Sequence, residues 1–154
     1  MTVIGQPREF FKSWKFTIAI DSVLSAGFQS CSELATEVAE IQYYEGGSPI
    51  PDKSPGRQTF DDVTLARGAA KGDTDLYIWW LQVSDAAAGT GVSEPQFKRS
   101  VDIQQQDRTG AIVRTWRLIN AWPKRMVVGA WDNEADENVI ESVTLAYDRF
   151  ELIS

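Results

Sequence analysis

The chain has 154 residues, of which 43% are hydrophobic, 24% charged and 11% aromatic. That suits one compact domain spanning residues 1–154, with a real core, and excludes collagen-like or low-complexity disorder. The net charge of −7 argues against a domain that grips nucleic acid through phosphate neutralisation. Histidine is absent, which removes Ser-His-Asp and Cys-His catalysis, two-histidine zinc proteases and every His-ligated metal site. The single cysteine, Cys31, can form neither an internal disulfide nor a Cys-only metal site, and fits a reducing compartment. The segment Met1–Ser13 carries Arg8, Glu9 and Lys12 and no apolar run of signal-peptide length. No uncharged run approaches the ~20 residues of a membrane helix. Synthesis in the cytoplasm without a membrane anchor is the expectation.

Strand patterns dominate. Trp14–Ile20 alternates at period two, with Trp14, Phe16, Ile18 and Ile20 on one face, and Asp21-Ser22 ends it. A short strand is expected over Gly27–Cys31. Thr36–Glu45 is strand-like with mixed faces: Val38, Glu40, Gln42 and Tyr44 in one phase, Glu37, Ala39, Ile41, Tyr43 and Glu45 in the other. Gly46–Gln58 reads as a long loop, because its prolines and glycines deny regular ladder bonding. Its landmarks are Gly46, Gly47, Pro49, Pro51, Lys53, Pro55, Gly56 and Arg57. Long loops in compact domains are usually functional. Gln58–Arg67 returns to strand, with Phe60, Val63 and Leu65 apolar.

Asp73–Asp85 is the convincing helix, with Leu76, Trp79, Trp80 and Val83 on one core face. Asp73 or Thr74 can cap it and Asp75 suits its positive end. Ala86–Pro95 reads as a flexible connection. Strands are predicted over Lys98–Gln106 and Ala111–Ile119, joined by the turn residues Asp107-Arg108-Thr109-Gly110. Asn120-Ala121-Trp122-Pro123 should interrupt pairing, since proline cannot donate to a ladder. A strand over Lys124–Ala130, an acidic loop over Asp132–Asn138 and a last strand over Ser142–Leu152 complete the chain. Val-Thr-Leu-Ala occurs at Val63–Ala66 and again at Val143–Ala146, which reads as two similarly buried strands. Many strands and one helix give a mainly β fold: two packed antiparallel sheets, sandwich- or barrel-like, with the helix on the side.

No catalytic constellation stands out. Asp61-Asp62 and Asp73/Asp75 suit strand ends and a helix start better than acid–base work. Asp132, Glu134 and Asp136 begin like a calcium loop, but Glu137 replaces its turn glycine and Val143 its closing glutamate. Gly89-Thr90-Gly91 lacks the lysine of a phosphate loop. Cys31 reads as a buried inert thiol. Trp14, Trp79, Trp80 and Trp116 lie in apolar phases, whereas Trp122 and Trp131 flank loops and are better placed for surface contact. No cofactor or metal is implied.

Several strands carry a polar face: Asp102, Gln104 and Gln106 oppose Val101 and Ile103, and Thr115 and Arg117 oppose Trp116 and Leu118. The Thr36–Glu45 strand adds Glu40 and Gln42, and these segments can form one sheet with a polar outer face. An open sheet leaves edges able to pair with another chain. Ring closure by neighbouring subunits would turn the polar face onto a watery channel; an ordinary sandwich with one wet face is the simpler reading on residues alone. Charge is segregated too: seven basic and two acidic residues over Lys98–Arg125, seven acidic and one basic over Trp131–Ser154. That pattern suits head-to-tail stacking or two solvated faces equally.

Taken in order, several segments resemble the tube proteins of contractile injection systems: contractile phage tails, R-type pyocins and phage-tail-like particles. They are Phe28–Leu34, Glu40–Gly47, Pro55-Gly56-Arg57, Val63–Gly68, Trp79-Trp80, Trp116, Asn120–Pro123 and Glu141–Tyr147. The type VI secretion tube protein is a more distant relative of that family by fold. The Ala86–Pro95 connection looks longer than the family's usual link.

The resemblance implies a structural subunit and no enzyme: hexameric rings of this chain, stacked into a hollow inner tube that a contracting sheath drives through an envelope. Sheath, baseplate, tube-initiator and terminator proteins would be its partners. DNA or protein cargo would pass through the lumen without specific binding, and the assembled particle would be a phage tail or an extracellular device. The Gly46–Gln58 segment should reach a neighbouring subunit or ring. The strand phases make Glu40, Gln42, Asp102, Gln104, Gln106, Thr115 and Arg117 the lumen-facing candidates, with acidic excess able to repel passing phosphate. A small-ligand-binding β-barrel or a carbohydrate-binding module using Trp122 and Trp131 are the alternatives, separable by native size.

Overall fold

The structure, a computed structural model, describes Phe10 and residues 15–21, 27–71, 74–89 and 97–153. Trp14, Asp73, most of residues 1–13 and most of the Ala86–Pro95 connection lie outside the described residues. The elements run β1 (Phe16–Ile20), β2 (Ser30–Cys31), β3 (Thr36–Tyr43), β4 (Asp52–Phe60), β5 (Val63–Gly68), α1 (Asp75–Ala87), β6 (Arg99–Gln106), β7 (Ile112–Val127), β8 (Ile140–Ala146) and β9 (Arg149–Leu152). Every pairing is antiparallel.

The main sheet has the order β1-β6-β7-β8-β5-β2, with β9 also pairing β7. It bends into two layers at β7. The first half of β7 pairs β6 and β9, and its second half pairs β8. The strand thus runs straight through Asn120–Pro123, where an interruption was expected, and takes in Lys124–Val127. Register shifts make this possible, opposite Arg99/Val101 and at Pro123/Arg125. Asn120 takes φ 55, a left-handed conformation that asparagine tolerates. An extra residue bends and twists a strand, and an irregular site is where a missing proline N–H costs least. The expected last strand over Ser142–Leu152 is likewise two strands, β8 and β9, in different layers, with Tyr147 and Asp148 turning between them.

Between the layers lies a core of Ile18, Ile20, Val63, Leu65, Val101, Ile103, Leu118, Ala121, Val143 and Leu145, closed by Leu76 and Trp79 from α1. The two Val-Thr-Leu-Ala segments are partners: Val63 faces Leu145 and Leu65 faces Val143, while the outward Thr64 and Thr144 hydroxyls meet at 3.2 Å. Identical alternation on adjacent strands fills the same slab of core, which accounts for the repeat without a duplication. The helix begins two residues later than predicted and runs to Ala87. Leu76 and Trp79 are buried, Trp80 and Val83 half-buried. Thr74 occupies the N-cap position without a side-chain capping bond.

Candidate functional site

The polar face belongs to the layer β1-β6-β7-β9. Register places Thr17 beside Gln104, Ala19 beside Asp102, Gln104 beside Thr115, Asp102 beside Arg117, and Arg117 beside Glu151. These residues share the face turned away from Val101, Ile103 and Leu118, because successive side chains point to opposite sides. Arg117 Nε and Nη2 donate to the two oxygens of Asp102 at 2.8 and 3.1 Å, and the Thr17 hydroxyl donates to Gln104 Oε1 at 3.1 Å. Those hydrogen bonds to Asp102 come first in holding the Arg117 guanidinium above its ordinary pKa, and Glu151 adds to them. Thr115, only 8% exposed, is shaded by its neighbours on this face. Gln106 keeps the phase of Gln104 but stands opposite Ile112, across a register shift.

Glu40 and Gln42 are not on that sheet. They lie on β3, which among the described residues pairs β4 alone, in a separate two-stranded sheet. This corrects the expectation of one continuous polar face. Alternation within a strand is legible in sequence, but which strand it joins is not.

The β3–β4 hairpin also corrects the Gly46–Gln58 loop. Gly46, Gly47, Pro49 and Pro51 form its tip, where Gly47 takes φ 83 and the Ser48 N–H donates to the Glu45 carbonyl. Lys53, Pro55, Gly56 and Arg57 lie inside β4. Pro55 is tolerated because both strands are edges and the ladder shifts register beside it. Gly56 is required by close approach: a Cβ there would stand 3.0 Å from Ile41 Cγ1 and 3.1 Å from the Ala39 carbonyl oxygen.

All eight residues of β3 are exposed. One hairpin face is polar, with Glu40 paired to Lys53 at 3.3 Å and to Gln42 at 3.1 Å. The other presents Ile41 and Tyr43, 51% and 52% exposed. A lone two-stranded hairpin is marginal in water, and among the described residues this one leaves both faces of β3 exposed. Its root is firm. Asp61 N–H donates to the Ala35 carbonyl at 3.0 Å, and the Phe60 ring lies 5.2 Å from Phe150, edge to face. Phe150 in turn meets Trp116 at 5.6 Å.

On the far side of the core from the polar face, α1 is tied down by a buried ion cluster. Arg67, 1% exposed, donates from Nη2 to Asp75 at 2.6 Å and from Nε to Glu141, with the Phe28 ring 5.4 Å away. Burial works against its charge, but the hydrogen bonds to Asp75 and Glu141 outweigh that, and its pKa is raised. Burial pushes the Asp75 carboxyl the other way from Arg67, and Arg67 prevails, holding it below its ordinary value. Trp79 Nε1–H donates to the Phe97 carbonyl at 2.6 Å.

The residues weighed for chemistry have structural partners. Asp62 pairs with Lys124, and the Asp61 carbonyl accepts from the Tyr147 hydroxyl at 2.6 Å. Burial pushes the Cys31 thiol up to about 11, which makes it a poor nucleophile. Trp122 stacks edge-on against Phe97, whereas Trp131 is 72% exposed.

The family model described as T4-like virus tail tube protein gp19 matches residues 12–151, nearly the whole chain. The chain belongs to that tail tube family. Comparison with curated protein sequences finds no match. Among solved structures, the tail tube chain is similar to a chain of the PVC sheath-tube complex of an extracellular contractile injection system. There the TM-score is 0.80 at 22% identity, over 98% of this chain and 94% of that one. A chain of the anti-feeding prophage tube-terminating cap superposes with TM-score 0.82 at 21% identity, over 100% and 99%. Hcp1 from Flavobacterium johnsoniae is more distant, with TM-score 0.52 at 9% identity, over 90% and 94%.

In this tail tube chain, sequence reasoning missed Arg149 and Glu151 on the polar face. Their own alternation signalled it, since Phe150 and Leu152 take the opposite phase. It also missed Arg67 and Glu141, charged residues inside apolar strands. The only available signal was that each sits at a position where its strand's alternation demands burial.

Proposed function

We propose that this tail tube protein closes rings with copies of itself, six to a ring, by pairing the β9 edge of one subunit with the β1 edge of the next. The observation that carries this reading is the layer β1-β6-β7-β9. Among the described residues, neither β1 nor β9 has a second strand neighbour there. With every pairing antiparallel, β9 runs opposite to β1, so a neighbouring copy's β1 laid against β9 continues the same alternation. A closed barrel abolishes edges, and each added backbone hydrogen bond contributes about 0.5–1.5 kcal/mol net. The polar face, with Asp102, Gln104, Gln106, Thr115 and Arg117, then lines the lumen.

The β3–β4 hairpin reaches an adjacent subunit or ring. Its apolar face supports this, because Ile41 and Tyr43 are large apolar side chains left about half exposed. The work is mechanical: no bond is made or broken, and a continuous hydrogen-bonded wall resists bending while cargo slides. The PVC structure is a sheath-tube complex and the anti-feeding prophage chain belongs to a tube cap. By analogy the partners here are a surrounding sheath, a baseplate and a terminator. The chain would be made in the bacterial cytoplasm and assembled into a tail or extracellular particle.

Negative-stain microscopy of concentrated purified protein tests the reading. Rings or tubes about one lumen are expected. A protein that stays monomeric at every concentration and salt refutes it and returns the small-ligand barrel to consideration.

A further inference from the structure

The charges on the polar face are not scattered. Across three adjacent strands they run Asp102, Arg117, Glu151, Arg149: negative, positive, negative, positive. Arg117 is bound side-on to Asp102 and stands opposite Glu151, and Arg149 Nε lies 4.0 Å from Glu151 Oε2. Among the described residues these four are the only charged side chains in that phase within β1, β6, β9 and the first half of β7, and they sum to zero; Lys15 and Asp21, which flank β1 in the same alternation, also cancel. At the margin, the Lys15 ammonium donates to the Arg108 carbonyl at 3.4 Å. The other basic residues of the layer point to the opposite side, Arg99 over the Trp79 ring and Arg114 over the Trp116 ring. The chain as a whole carries −7, so this face is neutral within an acidic molecule. It is not the acidic surface the composition led one to expect.

A half-exposed arginine is the side chain best shaped to seize a phosphate, through two parallel N–H bonds. Here the Nε and Nη2 of Arg117, its side-on fork, are already spent on Asp102, whose charge also faces any anion approaching the remaining donors. We infer that Asp102 and Glu151 are masking residues, Asp102 by hydrogen-bonding Arg117 and Glu151 by offsetting the charge of Arg149 and Arg117 beside it, so that an anionic polymer crosses this face without being held. The biological sense of this rests on the face lining the tube; the masking itself operates on any folded copy, because the face is solvent-accessible in the single chain. Neutrality achieved by pairing differs from neutrality by omission. Arg117 keeps a hydrogen-bonded cross-strand partner in Asp102, and Arg149 stands within ion-pair distance of Glu151 on its own strand, so each cation on this face has an anion beside it.

The test is the doubly substituted chain Asp102→Asn, Glu151→Gln, compared with wild type and with Asp132→Asn, Glu134→Gln. The second variant changes net charge equally but in the acidic loop. Binding of a fluorescein-labelled oligothymidylate is followed by anisotropy across a salt series, on soluble chain and on any tubes, with circular dichroism confirming the fold. Wild type and the loop variant should bind weakly and alike. The face variant should bind at least tenfold tighter with a steeper salt dependence, and adding Arg117→Gln and Arg149→Gln should erase the gain. Binding by the face variant no tighter than by the loop variant overturns the inference, as does equally strong binding by wild type. If tubes never form but the gain appears, the lumen reading fails while masking stands. If tubes form without the gain, masking fails while the lumen reading stands.

Discussion

The two sheets of this molecule solve the same problem in opposite ways. In the main sheet, Val63, Leu65, Val143 and Leu145 bury alternate positions and leave the threonines between them outside. The β3–β4 hairpin has comparable strand lengths and a ladder with one register shift, yet every residue of β3 is exposed. The body's stability is therefore supplied inside one chain. That of the hairpin beyond its aromatic root must come from elsewhere, which is what a subunit destined for a larger wall requires. Substitutions should separate the two regions.

The largest effect is expected in the body. Trp79→Ala removes a fully buried side chain and its hydrogen bond to Phe97, and should cost about 3–5 kcal/mol in urea unfolding. Arg67→Met should cost nearly as much, roughly 3–5 kcal/mol, because Asp75 and Glu141 lose their shared cation. The pH dependence supplies a sign. Asp75 is held below its ordinary pKa in the folded chain, so it contributes stability above the usual carboxylate range and loses it as pH falls through its folded value. Wild type should weaken on acidification below about pH 4, and Arg67→Met should have lost that contribution.

The hairpin should behave differently. Because Thr36 and Phe60 are direct partners, replacing residues 37–59 by Asn-Gly makes a tight two-residue turn there. The trimmed chain should keep its circular dichroism and cooperative unfolding but form no tubes in the microscope. Gly56→Pro should likewise abolish tubes while leaving the body folded, because it alters the strand beside the close contact with Ile41. Ile41→Ala with Tyr43→Ala should shift monomer stability by no more than about 0.5 kcal/mol, yet prevent or weaken assembly. Smallest of all, Lys124→Ala removes an exposed pair with Asp62 and should change stability by about 0–1 kcal/mol. Tubes of normal length from the hairpin-trimmed chain would break the contrast between the two regions.

Alternation made the core strands readable: Ile18, Ile20, Val101, Ile103 and Leu118 are where period two puts them, and Leu76 and Trp79 where helical spacing does. Boundaries were less readable wherever a residue's local preference was overridden. Proline and glycine in 52–60 signalled a loop, but a two-stranded ribbon has outward edges that tolerate both. Pro123 signalled a break, but a register shift absorbed it. Of the polar face, Asp102, Gln104 and Arg117 were legible from phase. The alternation of Arg149 and Glu151 against Phe150 and Leu152 was legible too, but not the layer they join, because nothing local separates β9 from the end of β8.

The sequence by itself determined which residues share a face, since that depends only on the pitch of the backbone, and it excluded histidine-based chemistry outright. Only the tertiary structure decided which strands are neighbours: β9 beside β7, β3 apart with β4, Arg67 between Asp75 and Glu141. The β7–β9 and Arg67–Glu141 pairings join residues far apart along the chain, and all of them are fixed by how the whole core closes rather than by any local signal. The neutral charge ladder depends on them entirely, because its four charges come from three strands that meet only in the folded sheet.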